Sequence, residues 1–363
     1  MKCGIVGLPN VGKSTLFNCL SNAKALAANY PFATIEPNVG VIPVPDDRMA
    51  KLEELVKPEK MQQAIVEIVD IAGLVRGASK GEGLGNKFLA NIRETQAIIH
   101  VLRCFDDDNI THVDESINPV RDKETIDIEL QIKDLESVDK KIDTTKKKSR
   151  TGDKEAAKHL LILEKYKTHL ESGQSARSIL LTDKEKEIVE DLMLLTDKPI
   201  LYICNVNEDD ANSGNAYVDA VKEAIKGEDA EMLVIAAGME ADIMELETFE
   251  ERQEFLQDMG LAEPGVKKVI RTAYTLLKLQ TYFTAGVKEV RAWTIKEGFT
   301  APQAAGVIHT DFEKGFIRAE VIKYDDFVSL GSELACKEAG KLSVEGKEYI
   351  VQDGDIMHFR FNV

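Results

Sequence analysis

Cysteine is sparse and unpaired in this chain: Cys3, Cys19, Cys104, Cys204 and Cys336 form no CxxC pair and have no histidine at metal-ligand spacing, which argues against a structural zinc site and a disulfide framework. They read as reduced thiols. Long apolar runs are missing as well; none approaches the roughly 18 residues that span a bilayer, so no membrane segment is expected. Positive charge is in deficit, with 46 Lys and Arg against 63 Asp and Glu and a formal net charge of -17. That balance excludes a protein that coats nucleic acid by bulk attraction and confines any such contact to a local basic patch. No charged-then-apolar leader precedes the strand-like run from Met1 to Leu8, so the expected location is cytoplasmic. Repeats and low-complexity segments are absent too.

What is there is an ordinary globular composition, 44% apolar and 30% charged, over 363 residues, a length beyond which one core stops growing. Short apolar runs at Cys3–Leu8, Val39–Val44, Ala64–Ile71, Ala97–Cys104, Pro199–Asn205 and Met232–Ala237 alternate with amphipathic segments. This predicts an α/β fold on a mostly parallel sheet covered on both faces. Val39–Val44 and Ala64–Ile71 are separated by one short helix over Asp46–Val56, so they could instead pair antiparallel.

Between Pro119 and Asp197 the strand pattern stops. Ile128, Ile132, Leu135 and Ile142 fall at spacings of four, three and seven, and Ala156, Leu160, Leu163 and Leu170 repeat the rhythm. Two antiparallel helices joined by a polar turn over Lys146–Asp153 are predicted, a coiled-coil hairpin with Asp139 and Lys167 interrupting its seam. From about Lys278 the chain becomes Gly-rich and strand-prone, with strands expected over Glu289–Ile295, Phe316–Ile322, Lys347–Val351 and Ile356–Phe361. This region is nearly neutral, 11 basic against 13 acidic residues. The expected domains are thus 1–120 with 197–277, the hairpin 121–196, and 278–363.

The strongest chemical signal is Gly7-Leu8-Pro9-Asn10-Val11-Gly12-Lys13-Ser14, GxxxxGK[ST] between a strand and a helix opening at Thr15-Leu16-Phe17. Glycines let successive amides converge on phosphates, Lys13 reaches the outer phosphate oxygens, and the Ser14 hydroxyl suits Mg²⁺. Asn10, Val11, Gly12, Lys13, Ser14 and Thr15 are the expected phosphate-binding set. Asp70 closes an apolar strand and begins a DxxG with Gly73; its carboxylate could hold Mg²⁺ through water while the Gly73 amide senses the γ-phosphate. Thr34, in the stretch Tyr30–Pro37, is a second hydroxyl for Mg²⁺ or an ordinary loop threonine. Gly77, Gly81, Gly83 and Gly85 suggest either a loop ordered by nucleotide state or a bland surface loop.

These segments resemble the YchF family, Obg-like ATPases of the translation-factor class of P-loop proteins. The resemblance spans essentially the whole chain. It rests on GLPNVGKST (Gly7–Thr15), YPFATIEPN (Tyr30–Asn38), DIAGLVRGASKGEGLGN (Asp70–Asn86), NVNE (Asn205–Glu208) and RAWTIKEGFTAPQAAGVIHTDFEKGFIRAEV (Arg291–Val321). The last block is similar to the TGS module, a β-grasp fold like ubiquitin. The resemblance implies ATP as the preferred nucleotide and association with ribosomes and translation.

Guanine-specific relatives carry NKxD, in which the Asp accepts from the guanine edge and the Lys stem packs on the ring. Here those positions read Asn205-Val206-Asn207-Glu208. Valine supplies no such stem and the Glu208 carboxylate sits one methylene further out, which spoils a discriminating geometry. The Asn205 amide and nearby backbone could serve adenine, with Ala236-Ala237-Gly238 closing over the base. A Glu208 that still reads guanine at reduced affinity is the alternative. Leu74 stands where a water-orienting Gln follows DxxG in Ras-like enzymes, so the attacking water needs another partner. His112 is the leading candidate, since an imidazole can position or deprotonate water; a surface loop histidine is the other reading. Asn10 could help ligate K⁺ beside the phosphates, in place of an arginine finger.

The resulting expectation is a Mg²⁺-dependent nucleoside triphosphatase, ATP over GTP, that acts as a switch on the ribosome or ribosomal RNA. No DNA, no membrane and a monomeric state are expected. Lys146-Lys147-Lys148-Ser149-Arg150 could touch a phosphate backbone or simply be solvated, and His309, Thr310 and Asp311 fit a turn better than a catalytic group. A metabolic P-loop kinase is disfavoured because no Arg-rich lid is evident. A GTP-preferring translation factor, or a nucleotide-gated RNA- or protein-binding module without functional hydrolysis, stays open.

Overall fold

A computed structural model of the chain describes residues 2–22, 38–71 and 84–362. The architecture is α/β, in two compact units: 2–22, 38–40, 67–71 and 84–269 form the first, 41–66 with 270–362 the second. In chain order, β1 (Lys2–Val6) and α1 (Lys13–Asn22) precede β2 (Val39–Pro43), α2 (Asp47–Val56), β3 (Met61–Gln62), β4 (Ile65–Asp70), α3 (Leu84–Arg93) and β5 (Ala97–Arg103). The helices α4 (Pro119–Arg150) and α5 (Lys154–Glu171) follow, then short α6 (Asp183–Lys186), before β6 (Ile200–Asn205), α7 (Ala216–Ala224), β7 (Ala230–Ile235), α8 (Ala237–Glu245), α9 (Phe249–Asp258) and α10 (Gly265–Leu276).

One sheet has the strand order β2-β4-β1-β5-β6-β7. β4, β1, β5, β6 and β7 are parallel. Every residue of β5 and β6 is buried, which explains their near-continuous apolar character. β2 runs the other way along β4: the Asp70 N–H donates to the Asn38 carbonyl and the Val44 N–H to the Ala64 carbonyl. The open alternative for this strand pair is therefore the one observed.

At the centre of β5, His100 is buried against the Tyr202 ring, centroids 5.5 Å apart, and neither ring nitrogen has a hydrogen-bond partner among the described residues. Burial pushes its pKa from 6.5 down to about 3, helped by the nearby Lys123 and Arg177 charges.

The hairpin forms as its caps direct. Asn118 accepts from the Arg121 N–H ahead of Pro119 at the first helical position, and Asp153 accepts from the Glu155 and Ala156 amides to start α5. Val138 and Ile142 meet Leu163, Tyr166 and Leu170, and Lys167 bonds Asp139 across the seam at 2.7 Å. Two expectations need correction. Ile128 is 52% exposed, because this stretch of α4 faces the sheet instead: Ile126 and Leu130 are buried, and the Lys123 ammonium lies 5.5 Å from the centre of the Tyr202 ring. Lys146–Arg150 are helical, since α4 continues to Arg150 and the turn begins at Thr151. Asp134, fully buried, then accepts from the Leu195 and Thr196 amides and the Thr196 hydroxyl, tying the return segment to α4.

In the second unit β8 (Leu279–Ala285), β9 (Val290–Lys296), α11 (Ala301–Ile308), α12 (Thr310–Lys314), β10 (Phe316–Ile322), α13 (Tyr324–Leu330), α14 (Glu333–Glu338), β11 (Leu342–Glu345) and β12 (Ile356–Phe361) build a sheet ordered β11-β10-β12-β8-β9-β3. Its first five strands have the order of a β-grasp; β3 adds a parallel edge to β9. The strand expected over Lys347–Val351 is displaced to Leu342–Glu345. Tyr349 and Val351 instead bond the Ala301 and Phe299 backbone, closing the chain onto the start of α11. His309 caps α12 by accepting from the Asp311 N–H, the turn role expected of it. Among the described residues no helix is long and apolar enough to cross a membrane.

The neutral state of His100 contributes stability fully present above about pH 6.5 and lost as pH falls toward 3, because the unfolded chain takes up a proton that the folded one refuses. His100→Leu should therefore flatten the fall in urea midpoint between pH 7 and pH 5; an unaltered acid slope would count against this account.

Candidate nucleotide site

The loop between β1 and α1 is shaped by two backbone demands. Gly12 has φ +91°, and a Cβ there would collide with the Asn205 amide. Gly7 lies so close to the neighbouring strand that a Cβ would sit 2.8 Å from the Val101 carbonyl oxygen. The Leu16 N–H donates to the Gly12 carbonyl at 3.0 Å and begins the helix that carries Ser14 and Thr15, both exposed. The free amides at that helix start face a cavity of about 560 Å³, lined by Asn10, Gly12, Lys13, Ser14, Asn38 and Asp70 among others. Helix N-terminal amides and dipole favour an anion there.

Inside the cavity the Lys13 ammonium pairs with the Asp70 carboxylate, both side chains largely buried. The donor set suits a Mg²⁺-triphosphate: an ammonium and amides for phosphate oxygens, a hydroxyl and a carboxylate, both hard oxygen donors, for the cation. Ser14 and Asp70 would hold the ion, directly and through water respectively. Thr34, Gly73, Leu74, Gly77, Gly81 and Gly83 lie outside the described residues; Gly85 belongs to the first turn of α3.

A second cavity of about 480 Å³ shares Asn10, Gly12 and Thr15 with the first. Its walls include Phe105 and Ile110 on one segment, Val206 and Glu208 after β6, and Ala237 and Met239 on α8. Asn205, at the end of β6, stands beside Arg103 and Ile235 in the parallel register. Its amide nitrogen donates to the Val11 carbonyl and its amide oxygen accepts from the Ala237 N–H, each at 2.9 Å. The residue is 4% exposed. Asn205 is thus a brace between the phosphate loop and α8, with its oxygen already occupied, which leaves base contact to its neighbours. Val206 is buried and its N–H donates to the Ile235 carbonyl. Glu208, an exposed residue, is one of those that line this cavity.

Asn10, at φ 62°, uses its amide nitrogen on the Thr111 carbonyl at 3.1 Å, which leaves the amide oxygen for a cation. His112 is buried rather than a surface residue. Its Nε2 bonds Asp122 at 2.8 Å while Nδ1 accepts from the Asp114 N–H at 3.1 Å. That pairing places the ring proton on Nε2. Both nitrogens are engaged here, so the imidazole reaches a water only if the Asp114 contact opens.

A family model described as "50S ribosome-binding GTPase" matches residues 2–165, and one named YchF-GTPase_C, described as a protein of unknown function, matches 279–362. The chain is 59% identical to the ribosome-binding ATPase YchF of Haemophilus ducreyi, covering all of this chain and 99% of that one. It is 54% identical to the protein of the same name in Bacillus subtilis over the full length of both. The chain belongs to the YchF family. The solved structure of the Schizosaccharomyces pombe YchF GTPase superposes with a TM-score of 0.90 at 40% identity, covering 99% of this chain and 97% of that one.

Within this YchF chain the GTPase-model match ends inside α5, whereas Asn205, Val206, Glu208 and Ala237 lie beyond it. Three contributors to the cavities escaped sequence reasoning: Asn38, the Phe105–Ile110 segment, and the brace made by Asn205. Arg103, a charged residue closing a strand that is apolar but for His100, was the signal for the second. The brace gives an expected outcome. Asn205→Ala removes two buried hydrogen bonds, worth about 2 kcal/mol together, and should weaken Mg²⁺-ATP binding at least about tenfold in calorimetry while far-UV circular dichroism stays unchanged. Wild-type affinity in that variant would rule the brace out as a determinant of binding.

Proposed function

We propose that this chain hydrolyses ATP in a Mg²⁺-dependent reaction and acts as a nucleotide-controlled switch on the ribosome. The observation that carries the reading is the pair of cavities joined at Asn10, Gly12 and Thr15, one built for polyanions and one half apolar. Its relatives' names, ribosome-binding ATPases of full-length similarity, point the same way.

The Lys13–Asp70 pair supports an exchange of partners. When the triphosphate enters, the Lys13 ammonium leaves the carboxylate for phosphate oxygens, and Asp70 becomes available to the cation site it shares with Ser14. Mg²⁺ supplies charge neutralisation of the phosphates there. The Gly12–Ser14 amides orient the chain of phosphates, and Phe105, Ile110, Val206 and Met239 exclude water from the base. His112, oriented by Asp122 as a base is oriented by a third group, positions or deprotonates the attacking water once the Asp114 contact opens. K⁺ beside the Asn10 amide oxygen is part of this reading, and the chain works as a cytoplasmic monomer. Within the first compact unit the hairpin over 121–196 serves as a lever, and 41–66 go with the C-terminal unit.

ATP is preferred because no lysine stem stands at Val206 and Glu208 is a methylene too long for the guanine edge. One observation favours a second reading: Glu208 is among the residues that line the base cavity, which keeps GTP as the competing substrate. Direct titration with Mg²⁺-ATP and Mg²⁺-GTP separates them, the expected result being at least about tenfold tighter ATP; tighter GTP establishes the second reading. Ribosome sedimentation with ATP, a non-hydrolysable analogue or no nucleotide tests the partner, and absence from the ribosomal fraction in all three removes it. For His112→Ala, kcat should fall about 10²-fold with KM for ATP nearly constant. An undiminished rate would make the imidazole purely structural.

A further inference from the structure

Arg103 is the largest fully buried side chain of the described residues, 1% exposed at the end of β5. No carboxylate is within salt-bridge distance of it among the described residues; its guanidinium is satisfied by main-chain carbonyls. Nε donates to Phe105 at 3.2 Å, Nη2 to Asp107 at 3.1 Å and Nη1 to Ile110 at 2.8 Å. The same group lies 4.7 Å from the centre of the Phe105 ring. A buried cation held by carbonyl dipoles costs more to desolvate than an apolar side chain of equal volume, so packing alone does not account for it.

The three residues whose carbonyls it holds are the three from this segment that wall the base cavity: Phe105, Asp107 and Ile110. The segment is further shaped by Asp107, which accepts from the Asn109 amide at 2.8 Å, and it leads into Thr111, whose carbonyl receives Asn10. One planar fork therefore sets a wall of the base cavity from behind without entering it.

We infer that Arg103 is a positioning residue for the nucleotide base: its three-carbonyl clamp fixes the Phe105–Ile110 wall against which the base packs. This rests on the nucleotide-binding reading of the site. The clamp explains why a loop of mostly exposed residues that contains Asp106, half-buried Asp107 and Asp108 presents a defined surface. A lysine at this position keeps the charge but, as a compact ammonium without the planar fork, cannot reach all three carbonyls in the same geometry.

The test compares the full-length wild type with Arg103→Met and Arg103→Lys, titrating Mg²⁺-ATP and Mg²⁺-tripolyphosphate, the second ligand having phosphates and no base. The expected result is a loss of about tenfold or more in ATP affinity for Arg103→Met, a smaller loss for Arg103→Lys, and tripolyphosphate affinity within about twofold of wild type. Equal weakening of both ligands makes Arg103 a general structural residue and overturns the proposal, as does unchanged ATP affinity. If Arg103→Met does not fold, Arg103→Lys decides by the same ratio. A wild type that binds neither ligand refutes the nucleotide-binding reading itself, an outcome distinct from failure of the Arg103 assignment.

Discussion

The structure of the site depends on one amide. Asn205 ends a buried strand and spends both ends of its side chain on main chain, one on the phosphate loop and one on the start of α8. Because Gly12 has no Cβ, that amide sits directly against the loop. The close approach falls at Gly12, one of the residues that the two cavities share. The same two bonds tie the start of α8, which carries the Met239 wall, to the loop that leads into Lys13.

A second layer of organisation lies in buried polar groups that serve the backbone instead of one another. Arg103 holds three carbonyls, Asp134 holds two amides and a hydroxyl, and Glu240 holds the Gly265 and Val266 amides. Each converts a segment without regular hydrogen bonding into one with a single geometry, since a buried unsatisfied donor or acceptor is expensive. Of the three, the Arg103 device lies at the carboxyl end of its strand, the edge on which an α/β sheet collects its ligands, whereas Asp134 holds the segment that leads into β6.

The sequence makes the parallel sheet readable because strands buried on both faces are continuous apolar runs, and β5 and β6 are the plainest cases. The phosphate loop is readable because its glycines and lysine are demanded by geometry at fixed spacing. The C-terminal sheet was less legible. β3 is two residues long, Met61–Gln62, and carries no periodicity at all, while Lys347–Val351 looks like a strand yet closes onto α11 through single bonds. Ile128 misled for a different reason, since one heptad register was carried through a helix that packs first on a sheet and then on a partner helix. Asn205 was legible as a site residue from NVNE but not as a brace, and Arg103 only as a charge closing a buried strand and not as a clamp, because hydrogen bonds from a side chain to main chain leave no pattern in residue types.

The placement of β3 has a consequence for how such a protein can be taken apart or assembled. The unit that contains the β-grasp sheet also takes residues 41–66, so its edge strand and the Arg48 half of the Arg48–Asp353 ion pair come from chain that precedes most of the other unit. A fragment beginning at Lys278 would carry an uncovered β9 edge and an Asp353 that keeps the Thr281 N–H but loses Arg48. The C-terminal portion is therefore not a bead threaded on a string, and gene fusion or truncation at that point leaves part of its architecture behind.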